Sequence, residues 1–193
     1  MSSHENLEHA EHVEHASHGG NKKIALLIAI LALFLAFSET LGKSAQTSTV
    51  TLNVTANDLW AFFQAKTIRT TVLRASADRL SLDAEATADE AAKTRMLKTA
   101  DDWRKTAARY DDEPRTNDGR QQLADRAKEA EQRRDLSLAR YHHYEIASAA
   151  YHIGNVLASA AVISSMMALA DGAGLLGLIG LAFTAIVFLA PLA

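Results

Sequence analysis

Four histidines near the N-terminus, His9, His12, His15 and His18, recur at every third position, with Glu8, Glu11 and Glu14 directly before three of them. At that spacing the imidazoles fall near one side of a helix. Two or three of them, helped by a carboxylate, offer a weak chelate to Zn²⁺, Ni²⁺ or Cu²⁺. No closed four-ligand spacing accompanies them, and a solvated tail without any metal has the same composition. Their titration near neutrality also makes the tail less acidic at low pH.

Glu39 is the second candidate, because an ionisable group at the end of an apolar run is a natural proton or ion site. Lys43 follows at i,i+4, and a pair reaching the wet end of the run is the plainer reading. Aromatic residues form the third group. Trp60, Phe62 and Phe63 stand beside Lys66 and Arg69, and Tyr141, Tyr144 and Tyr151 stand beside His142, His143 and His152. Such rings suit the boundary between water and lipid, whereas adjacent histidines on a helix point apart and chelate poorly. No nucleophile elbow, phosphate loop, metalloprotease motif or dinucleotide fingerprint occurs, so no enzyme activity and no cofactor are expected.

The elements that must position these residues are long helices. Ile24 to Phe37 contains no polar side chain, and Leu41 extends it to about a bilayer's thickness. Phe34 to Thr40 lacks the small-x-small ending of a cleaved signal, so a retained anchor is expected. Two further apolar runs lie at 153–170 and 174–193, joined by an expected turn at 171–174. Gly154, Ala158, Ala161 and Ser165 on one, and Gly174, Gly177 and Gly180 on the other, allow close helix approach, inside this pair or between subunits. There is no cysteine, and with it no disulfide or thiolate chemistry.

Residues 1–23 are a polar His/Glu-rich tail, and 24–42 are the first span. Between Ser44 and His152 basic and acidic residues are equal in number, which leaves no excess of cations for nucleic acid. Pro114 and Gly119 are the only helix breakers there, and 111–119 concentrates turn-forming residues. An antiparallel helical hairpin over 79–152 with its tip at 111–119 is therefore expected. Its seam would join Met96, Ala100, Trp103, Ala107 and Tyr110 to Leu123, Ala127 and Ala130, at coiled-coil spacing. Residues 43–78 then exceed what the outgoing leg needs. They are read either as a linker with an amphipathic helix at headgroup level, opened by Thr55-x-x-Asp58, or as a straight continuation of the first span packing its aromatic face on a partner.

The segment Ala56-x-Asp58-x-Trp60-Ala61-Phe62-x-Gln64-Ala65-Lys66, after a first span and Glu-His repeats, resembles a bacterial membrane-protein family known as a domain of unknown function, DUF4337. The resemblance covers the whole chain. It implies membrane location and this span order, with no catalytic residue to carry over.

The fold class is thus an all-α membrane protein with three transmembrane helices and a long extramembrane coiled-coil hairpin between the first and second. The expected role is a non-enzymatic, membrane-anchored scaffold in the bacterial inner membrane, homo-oligomeric, with the bilayer and an unidentified protein on the hairpin as partners. A metal-handling accessory protein and an oligomeric channel subunit are the alternatives. Cations near the spans are more numerous on the hairpin side, which favours a cytoplasmic hairpin.

Overall fold

The computed structural model of the chain describes residues 3–189, with side chains from residue 22 onward. The four tail histidines therefore lie outside the described side chains. Among the described residues the fold is all-helical: α1 spans Ser3–Glu85, α2 Glu90–Asp111, α3 Arg120–Ser164 and α4 Met167–Leu189. α1, α3 and α4 are each long and apolar enough to cross a membrane. The contacts divide the chain into two units, Met1–Ser48 with Leu136–Ala193, and Thr49–Asp135.

In the first unit, parts of α1, α3 and α4 close on small residues. Ala147, Ala158, Ala161 and Ala173 are fully buried, with Ile24, Leu31 and Tyr151 filling the space between them. Gly154 faces the carbonyl of Ala173, and a Cβ on Gly177 would stand 2.7 Å from Leu31 Cδ2. Gly154, Gly177, Ala158 and Ala161 are thus used within the chain, whereas a Cβ at Gly174 would meet nothing within 4 Å among the described residues. Most of each apolar window stays uncovered by the rest of the chain.

The connection between α3 and α4 is Ser165–Met166, not 171–174. Ser165 takes φ 55°, and Ser164 Oγ accepts from Met166 N at 3.4 Å. Asp171-Gly172 reads as a turn in sequence, but Ala173 is fully buried against α3 and the helix must continue through it to make that contact. The second apolar run is therefore split between α3 and α4. α3 ends at Ser164, so its apolar window includes residues upstream of Ile153.

In the second unit, α1 continues without a break to Glu85, so 43–78 is neither a linker nor a separate helix. The chain reverses at 86–89. Asp89, in extended conformation, caps α2 by accepting from Ala91 N at 2.9 Å and Ala92 N at 3.3 Å. α2 then runs antiparallel to α1, with Met96 beside Thr87, Arg104 bound to Asp78 and Asp111 to Arg74. α3 follows along the same side, through Arg120 over Phe63, Trp60 to Glu131, and Asn53 to Arg134.

The expected tip at 111–119 is thus a junction midway along the return path. The residues of both predicted stripes are buried or half-buried, but the two stripes lie end to end on α1 instead of facing each other. α1 supplies one continuous groove for both: Ala56, Leu59, Phe63, Lys66, Thr70, Leu73, Ala77, Leu80 and Ala84 are all buried or half-buried, at alternating spacings of three and four.

Candidate functional site: an ionisable pair on apolar helices

Where α1 and α3 cross in the first unit, two small residues bring the backbones together. Gly42 lies under Tyr144, whose Cβ would be 3.3 Å from a Cβ at that glycine. Ser38, fully buried, donates its hydroxyl to the Tyr144 carbonyl at 3.0 Å. This contact fixes the neighbouring residue as well. Glu39 emerges beside the crossing, and its Oε1 meets His152 Nε2 at 2.9 Å. The partner of Glu39 is therefore His152, not Lys43. Both side chains remain more than half exposed, 55% and 60%.

One residue earlier on α3, Tyr151 points into the packing. It stacks on Phe34 at 5.9 Å, lies against Gly180 and places its hydroxyl 3.4 Å from Thr184 Oγ1. The step from Tyr151 to Asn155 stays on the buried side, and Asn155 Oδ1 is enclosed with no hydrogen-bond partner among the described residues. Beside the crossing is an open cleft of 290 Å³, lined by Glu39, Lys43, Gln46, Tyr141, Glu145 and others. Tyr141 is half-buried there, with its hydroxyl 3.5 Å from Glu145.

The sequence-predicted interfacial residues divide in the same way. Tyr144 and Tyr151 are enclosed by protein. Trp60 and Phe63 pack edge to face at 5.4 Å in the second unit, against Leu123, Ala127 and Ala130, so their partner is the same chain. Trp60 Nε1 donates to Glu131 at 2.9 Å, which satisfies the indole inside that packing. Phe62 alone of that trio is largely exposed, at 62%.

His152 was legible only as a membrane-boundary residue. No signal in the sequence pairs it with Glu39; the pairing depends on where α1 and α3 cross. No group of three or more candidate metal ligands occurs among the described residues.

The family model for a domain of unknown function (DUF4337) matches residues 20–190. No curated protein sequence and no solved structure matches the chain.

Proposed function

We propose that this chain, which belongs to the DUF4337 family, is a non-enzymatic membrane-anchored scaffold that works as an oligomer in the bacterial inner membrane. The observation that carries the reading is the exposed Glu39–His152 pair on helices otherwise apolar enough to face lipid. Ionisable groups on a helix that faces lipid are costly against hydrocarbon and almost always face protein or a water-filled space. A covering subunit meets that requirement for both side chains at once. The second unit is charge-balanced and helical, and its polar side chains form ion pairs along the helices, which suits a spacer or docking platform better than a reaction site.

The test is the mass of the detergent-solubilised protein by light scattering, with native electrophoresis of membranes as the second readout. An oligomer is expected, and Glu39→Gln together with His152→Leu should change its stability while leaving helicity intact. A monomer in both measurements would remove the proposal.

A further inference from the structure

The outward face of α1 in the second unit is apolar where a two-faced helix should be polar. Opposite the buried groove, at strict spacings of four and three, stand Val54, Asp58, Ala61, Ala65, Ile68, Val72, Ala75, Arg79 and Leu82, and every one of them is exposed. Val54 is 53% exposed, Ile68 64%, Val72 57% and Leu82 62%. In a helix that packs on one side only, these positions point straight at water and carry charge. Here seven of the nine are apolar, and the two charges stand toward the ends.

The period identifies the chemistry of what covers the stripe. A repeat of 3.5 residues stays in contact only with another helix that supercoils with it, because a straight helix drifts by about 20° per heptad against it. Ala61, Ala65 and Ala75 allow close approach to a helix and fill little of a lipid or globular surface. α2 and α3 are already engaged on the opposite groove. We infer that the stripe is a second coiled-coil seam, and that its occupant is α1 of a second copy of this chain, in parallel register.

The register follows from the unbroken course of α1 from its apolar segment to Glu85. Two copies anchored in one bilayer by that segment present the same stripe in the same direction, and an isologous pair of identical faces closes by two-fold symmetry. In the first unit the exposed apolar residues of α1, Leu26, Ile30, Leu33 and Phe37, have the same spacing. Asp58 and Arg79 would each meet its own copy. Arg79 is held by Asp83 at 3.1 Å within its helix, so the tightest contact runs from Ala61 to Ala75.

This inference rests on the proposed oligomeric scaffold and adds to it a second surface, on the face of α1 away from Glu39. The absence of native cysteine makes the test direct. Single cysteines are placed at Ala61, Ile68 and Ala75, and at Lys128 on exposed α3 as control, in the full chain in membranes, and a short bis-maleimide is added. Self-cross-linking at the three stripe positions, severalfold above Lys128, is expected. Ile68→Asp should lower the oligomer with helicity unchanged, and Asp58→Leu should raise it.

Cross-links no stronger than at Lys128 overturn the seam, as does an Ile68→Asp protein that stays helical and fully assembled. Self-cross-linking at Ile68 alone, with Ala61 and Ala75 no stronger than Lys128, overturns the parallel register. If the stripe fails while native electrophoresis still reports an oligomer, the seam falls and the scaffold reading stands. A chain that is monomeric throughout removes both.

Discussion

At the residue scale, three side chains carry consequences that can be measured. Tyr151 is 1% exposed and fills the space made by Gly180, where a Cβ would sit 2.7 Å from its ring. Gly180→Leu should separate α4 from α3 and lower the unfolding midpoint in detergent, and Tyr151→Ala should cost about 3 kcal/mol through the cavity it leaves. Thr70 is 1% exposed in the groove of α1, and its hydroxyl has no partner among the described residues. Thr70→Val keeps the shape and removes an unpaired buried polar group, so it should stabilise the second unit by about 1 kcal/mol in a denaturation curve.

Asp118 responds to pH. The hydrogen bond from Lys66, 2.7 Å away, and then that from Thr116 hold its carboxyl below the ordinary value of 3.8. The folded state favours the carboxylate. The contact is therefore present above pH about 4 and is lost as the pH falls through the lowered value. Amide exchange at 115–119 should accelerate on acidification into that range, and Asp118→Asn should flatten the dependence.

At the scale of elements, caps and turns decide where helices stop, and they do so with few residues. α1 ends and α2 begins with neither glycine nor proline between them; the stop is set by Asp89, which accepts from two amides of α2. Asp89→Ala should cost about 1 kcal/mol and raise hydrogen exchange in the first turn of α2. Ser165 and Asn117 take φ 55° without being glycine. Glycine at either position should be neutral or mildly stabilising. Valine should cost about 1–2 kcal/mol, because Cβ crowds the following carbonyl in the left-handed region. Thermal unfolding of the paired variants separates the two outcomes.

At the scale of the whole molecule, sidedness is tested by labelling the connections between the helices. Met166 lies in the α3–α4 turn and is 57% exposed, which makes it a suitable labelling position. We propose that the charged unit is cytoplasmic, as the cation count favours. Single cysteines at Ser3 and Met166 should then react with an impermeant maleimide on intact cells, and one at Asn117 should not. Labelling at Asn117 alone would reverse the assignment.

The all-helical class, the three apolar segments and the family were legible in the sequence because each rests on local information: hydropathy over about 20 residues, helical period, and a contiguous motif. The periodic buried stripes on α2 and α3 were legible for the same reason. Which helix each seam faced was not, because spacing states that a stripe is buried but not what buries it. The reversal at 86–89 has only a weak local signal, a single capping aspartate, while the stronger turn signals at 111–119 and 171–174 belong to a mid-path junction and to a continuous helix. Glu39 likewise had an adequate local partner in Lys43. Only the close crossing of α1 and α3, made possible by Gly42 and Ser38, brings His152 within hydrogen-bond distance instead. Long-range pairing of that kind depends on the depth at which two helices meet, and tertiary packing alone sets that depth.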